Sequence, residues 1–253
     1  MSGARRQSLG GQRHRIVRAL AAMSAVVILG AGVSSCGVAS RVKNVADTVE
    51  NNKDTIESFT TPMKASETVP FEATYVTTGA HPSTVVYAVQ PPKELLFKEN
   101  TTGAGNGNSP AYLIVNASGE YSCQHTAATA KGAKPGWTCS KLAATQATVQ
   151  QALVGIYTPG HWVNFLRGLA LAAGFAGDKV SRSTMSVHGF ALQCVDFQAA
   201  GIPGTSKICT TSKGILGYVK VASEPTAFEL KSYSGSPSAS LFQLPAGARV
   251  TSS

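Results

Sequence analysis

From Arg41 to Phe59 the apolar side chains fall at Val42, Val45, Val49, Ile56 and Phe59, with Asn52 interrupting the seam and Lys, Asp, Glu and Asn filling the rest. Spacings of three and four predict an amphipathic helix of about five turns, read as a packing helix over a sheet. Pro62 and Pro70 bound the linker after it. The period then changes to two. Phe71–Thr78, Thr84–Gln90, Glu94–Glu99, Ala111–Ala117, Tyr121–Thr126 and Trp137–Leu142 are alternating, β-branched and aromatic, and turn clusters such as Gly79-Ala80-His81-Pro82 and Pro91-Pro92 separate them. Short links between successive strands predict an antiparallel meander.

Ala143–Phe175 breaks this alternation. Leu142, Val149, Leu153 and Ile156 mark one helical face; Thr158 as N-cap and Pro159 at the first position open a second helix, whose face carries Trp162, Phe165, Leu166 and Leu169. Strands return at Lys179–Val187, Phe190–Gln198, Lys207–Thr211, Ile215–Ala222 and Ala227–Tyr233, with His188-Gly189 as the first hairpin turn. The tail from Leu241 to Val250 closes the domain. Helix, meander, helical pair and second meander make an α+β domain.

The 253 residues carry a net charge of +9, but five arginines and no acid lie in the first 35. Beyond them 17 basic side chains face 13 acidic ones, a balance of +4 that gives no argument for nucleic-acid binding. Ala19–Ser35 is an uncharged apolar stretch behind that basic segment, too short for a comfortable membrane span, and reads as an export signal. Its end, Val33-Ser34-Ser35-Cys36-Gly37, resembles the lipobox of bacterial lipoproteins, in which the Cys is diacylated and becomes the new N-terminus. The resemblance implies a signal peptide over 1–35, a lipidated N-terminus and short tether over 36–40, and one domain over 41–253. The alternatives are an ordinary signal peptide cut near Ser35 and an uncleaved anchor.

Cys123, Cys139, Cys194 and Cys209 then form an even number in an exported chain, which favours disulfides. Of three possible connectivities, Cys123–Cys139 and Cys194–Cys209 are preferred, because each pair flanks a turn-rich loop between two strand-like stretches. A loop of about 15 residues is worth roughly 3 kcal/mol in the chain-entropy model. A Cys₄ zinc site lacks the close C-x₂₋₄-C spacing, so no metal is expected.

Candidate chemistry is thin. The Gly103-x-Gly105-x-Gly107 tract lacks the Lys-Ser/Thr of a P-loop and reads as a hairpin tip. No G-x-S-x-G elbow or H-E-x-x-H helix is present. His161, beside Trp162, is the histidine nearest the helix expected to border a cavity; a hydrolase would need it or His188 near a Ser or an acid such as Asp178 or Asp196. No enzymatic activity and no cofactor are expected.

Phe71-Glu72-Ala73-Thr74-Tyr75, the segment from Cys209 through Gly214-Ile215-Leu216, and Phe242-Gln243-Leu244-Pro245-Ala246-Gly247 carry a resemblance to the LolA/LolB-type lipoprotein carriers and the related half-barrel lipoproteins of mycobacteria. It extends as a pattern over most of residues 41–250. The resemblance implies a strongly curved antiparallel sheet wrapped around helices, with space between them for acyl chains. Trp162, Phe165, Leu166 and Leu169 are its candidate cavity residues, although plain core is the commoner use of such spacing. The expectation is an envelope lipoprotein on the extracytoplasmic face of the membrane, held by Cys36 and carrying a lipid-like ligand. Its rival is a structural or signalling interaction module without one. Oligomeric state and ligand identity stay open.

Overall fold

The computed structural model describes residues 38–79, 82–101, 111–126, 135–143, 157–176, 180–198 and 203–252. The chain divides into two compact units, Met1–Asn44 and Val45–Ser253. Of the first, only 38–44, the opening of a helix, is described. The leader, Cys36, the Gly103–Gly107 tip, His81, Asp178 and the helical face over 144–156 lie outside the described residues.

Helix α1 spans Val38–Ser66 and α2 spans Pro159–Ala176. Between them lie β1 (Phe71–Thr77), β2 (Ser83–Gln90), β3 (Glu94–Thr101), β4 (Ala111–Asn116), β5 (Gly119–Thr126) and β6 (Gly136–Lys141). After α2 come β7 (Ser181–Val187), β8 (Phe190–Phe197), β9 (Ser206–Thr210), β10 (Leu216–Lys220), β11 (Ala227–Ser234) and β12 (Arg249–Ser252). Helix α1 starts inside the stretch read as a tether and runs through Pro62 rather than stopping near Phe59. Proline removes one backbone donor there, and tertiary packing outweighs the loss.

The twelve strands among the described residues form one sheet, in the order β12-β6-β5-β4-β3-β2-β1-β11-β10-β9-β8-β7. Each meander pairs neighbour to neighbour, and the antiparallel pairing of β1 with β11 joins the two. At the β7–β8 turn His188 and Gly189 have φ of 48° and 86°, the pair of positive values that a tight hairpin turn needs. The sequence pattern did not disclose β12, which pairs parallel to β6 from Arg249↔Thr138 to Ser252↔Lys141. The sheet is thus largely, not wholly, antiparallel. The family resemblance implied a strongly curled half-barrel; the strand pairing shows an open sheet with edges at β12 and β7.

Alternation divides this sheet into two unlike faces. The inner face turns Phe71, Ala73, Tyr75, Val85, Tyr87 and Leu113, with Val195, Phe197, Ile208 and Leu230, toward Ile56, Phe59 and Met63 of α1 and Trp162, Val163 and Leu166 of α2. Asn52, the polar break in the α1 seam, is buried there, and its Oδ1 accepts a hydrogen bond from the Val180 backbone N–H at 3.0 Å. Gly214, at φ 76°, lies so close to α1 that a Cβ would come within 2.1 Å of the Pro62 carbonyl oxygen. Only glycine permits that approach.

The outer face carries two smaller clusters. One gathers Ala88, Leu96, Ile114, Tyr121, Cys123 and Cys139 beneath Phe242 of the 3-10 helix Ala239–Phe242, with Leu241 and Leu244 beside it. Asn116 fixes this tail, its Nδ2 donating to the Phe242 carbonyl at 2.8 Å. The other gathers Val187, Leu192, Cys194 and Cys209 with Met185, Phe190 and Tyr218. Each cluster holds a cross-strand disulfide between register partners, Cys123–Cys139 with Cα atoms 4.0 Å apart and Cys194–Cys209 with Cα atoms 3.9 Å apart. This is the pairing selected from the turn-rich loops, and two disulfides fit an oxidising compartment outside the cytosol.

Candidate functional site: a cleft at the helix ends

Both helices end at the same part of the inner face. Helix α1 stops at Ser66, whose Oγ donates to Met63 O at 2.7 Å and lies 3.3 Å from Gly214 O. Helix α2 begins at Pro159, where a fixed φ and an absent N–H suit the first turn. Between these ends and the links β2–β3 and β4–β5 opens a cleft of about 690 Å³, within the range usual for small-molecule sites. Its walls are Phe71 of β1, Tyr87 and Val89 of β2, Leu95 of β3 and Val115 of β4, alternate positions of adjacent strands.

The rim is polar. Glu67, Lys93, Glu94 and Glu120 line it, together with Asn116 and Thr158. Glu67 is set against the start of α2: a Cβ at Gly160 would lie 2.6 Å from its Oε1. A carboxylate there is favoured by the helix dipole. Asn116 has a structural task as well, since its Oδ1 accepts from Ser118 N at 2.9 Å and its amide holds the tail. Burial pushes the Tyr87 phenol well above the usual range for tyrosine, so its hydroxyl stays neutral at any physiological pH. An apolar floor below a charged rim is suited to an amphiphile.

The cavity candidates from the sequence lie elsewhere. Trp162 and Leu166 are core residues, 4% and 0% exposed, and Phe165 packs half-buried against the same core. Trp162 and Phe165 meet edge to face at 5.5 Å. None of the three lines the cleft, and the Leu169 side chain lies outside the described residues. Helical spacing marks a buried face without telling a filled interior from an open one. The cleft walls were visible as inward positions of strands; that an opening is left beside the helix ends was not. Pro91-Pro92 and Thr158-Pro159, which mark element ends, were the available signal.

The residues watched for catalysis are scattered. His161 stands edge-on to Trp162 at 5.8 Å, and partial burial lowers its pKa. His188 Nε2 lies 3.0 Å from Glu229 Oε2 at the β7–β8 turn. Asp196 is bound by Lys207 Nζ at 2.6 Å and by the Ser183 hydroxyl, on the outer face of β7–β9. Among the described residues no group of three or more His, Cys, Asp or Glu is placed to hold a metal ion, and no helix is long and apolar enough to cross a membrane.

These features define an α+β domain with a two-faced sheet and a cleft at its helix ends. No family model matches the chain, and no curated protein matches its sequence. Among solved structures the chain is similar to MucB, with a TM-score of 0.45 and 10% identity over 76% of this chain and 64% of that one. It is also similar to MucB in complex with MucA(peri), with a TM-score of 0.41 and 7% identity over 75% of this chain and 60% of that one. The chain spans less than two thirds of the length of either.

Proposed function

We propose that the protein is a membrane-anchored envelope lipoprotein that binds or carries an acyl chain of a lipid or lipoprotein in its apolar cleft, without bond-making chemistry. The observation that carries this reading is the cleft of about 690 Å³ walled by Phe71, Tyr87, Val89, Leu95 and Val115. Burying each methylene of an acyl chain is worth about 0.8 kcal/mol, so a long chain binds well in such a groove. In this reading Cys36 is diacylated after removal of residues 1–35, and two chains hold the carrier stably at its membrane where one would hold it marginally.

The test is native mass spectrometry, with organic extraction, of the full chain purified from envelope membranes. A reproducible adduct that extracts as an acyl lipid supports the carrier; a protein that is always free of lipid contradicts it. The competing reading is an interaction module of the envelope without a ligand. What favours it is the filled interior: Trp162 and Leu166 are closed into the core. Under that reading the cleft can be blocked, for example by Val89→Trp, without any loss of function.

A further inference from the structure

The inner face holds one group that its packing leaves unserved. Tyr75 of β1 is wholly buried, and among the described residues its hydroxyl has no hydrogen-bond partner. A buried phenol normally finds one. Beside it the ring of Tyr157 packs among Tyr75, Tyr87, Phe97 and Phe228, at centroid distances of 5.9, 6.0, 5.1 and 5.2 Å. Those four rings stand on β1, β2, β3 and β11, strands that are hydrogen-bonded on both sides. Tyr157 lies two residues ahead of Pro159, where α2 begins. Of the five rings it is the one carried outside the sheet and ahead of α2, on backbone that belongs to no strand pair.

The chamber adjoins the cleft. Thr158, next in the chain to Tyr157, lines the cleft, as do Tyr87 and Phe71, whose rings are 5.8 Å apart. Tyr87 therefore belongs to both walls. If the Tyr157 ring turned away, it would leave a space walled by aromatic rings, open toward the cleft and containing a single unsatisfied hydroxyl.

We propose that the chamber bounded by Tyr75, Tyr87, Phe97 and Phe228 is a ligand site that Tyr157 fills in this structure, and that it takes the ester end of an acyl ester, whose carbonyl accepts a hydrogen bond from the Tyr75 hydroxyl. The inference rests on the acyl-binding reading above and adds the polar contact and the residue that competes with the ligand. A neutral carbonyl suits the chamber better than a carboxylate. Burial raises the phenols of Tyr75, Tyr87 and Tyr157, so they stay uncharged, and the charge of Glu99 acts on Tyr157. A second anion there would be repelled.

The experiment titrates the purified full chain with 1-myristoylglycerol and with its ether analogue 1-O-tetradecylglycerol, which lacks the carbonyl, by calorimetry. The native chain is expected to bind the ester about five- to tenfold tighter than the ether, as one buried hydrogen bond implies. Tyr75→Phe, which keeps the ring, should erase that ratio, and Tyr157→Leu should tighten binding of both probes. Equal binding of ester and ether by the native chain, or a ratio unchanged in Tyr75→Phe, overturns the chamber site and leaves the acyl-binding reading standing. Binding of neither probe by any variant overturns both. If Tyr157→Leu fails to fold, the ester-to-ether ratio in Tyr75→Phe decides alone.

Discussion

The two faces of the sheet are held in different ways. On the inner face two helices cover a continuous core in which aromatic and branched side chains of both helices and most of the described strands meet; burial dominates its cohesion, and Asn52 adds a hydrogen bond from the Val180 N–H. On the outer face the clusters are small and separate, each with few buried residues, and each contains a disulfide between facing strands. Where too little apolar surface is available, covalent links supply what packing does not. The apolar helices thus serve the core, and the opening lies where those helices end.

The sharpest way to break the inner face is Gly214→Val. A side chain there must enter the backbone of α1 at Pro62 and adopt a φ of 76°. We expect a loss of about 4 kcal/mol or more, read as a collapse of soluble folded protein or of its denaturation midpoint. Leu166→Ala, in the centre of the core, should cost about 2–5 kcal/mol by urea unfolding.

Replacing Cys194 and Cys209 by Ser should cost roughly 3 kcal/mol, and the Cys123/Cys139 pair about the same, given loops of 15 and 16 residues. A reducing agent should lower the melting temperature of the native chain and leave the double-pair variant unmoved. Equal melting with and without reductant would mean that the outer face needs no covalent help. Asn52→Ala strands the Val180 N–H in the core, and about 1–3 kcal/mol is expected in the same unfolding assay.

The smallest effect concerns His161. Partial burial lowers its pKa from 6.5, so the unfolded chain takes up a proton at a higher pH than the folded one. Its contribution is complete above about 6.5 and declines as pH falls through that value toward the folded pKa. Thermal melts of the native chain should therefore lose a little stability between pH 7 and pH 5 that His161→Gln does not lose.

Much of the fold was legible. Eleven strands and the start of α2 follow from period-two runs and from Thr158-Pro159, because these signals are local. β12 was not legible: Arg249–Ser252 is exposed at every position and has no alternation, and its strand character comes from a parallel partner more than a hundred residues earlier. Asn52 read as a flaw in the α1 seam because its partner, the Val180 N–H, is equally remote. The cleft was hidden for a similar reason. Phe71, Tyr87 and Leu95 announce an inward face, but whether a helix covers them depends on where α1 and α2 stop in space. Trp162 and Leu166 illustrate the converse, since an apolar helical face specifies burial and not vacancy.

The most direct measurement is photo-crosslinking of the full chain with a diacyl lipid that bears a diazirine in its acyl chain, followed by peptide mapping. Adducts are expected on the cleft walls around Val89, Leu95 and Val115, suppressed by Val89→Trp. Adducts confined to the outer surface, or unchanged by Val89→Trp, would contradict it.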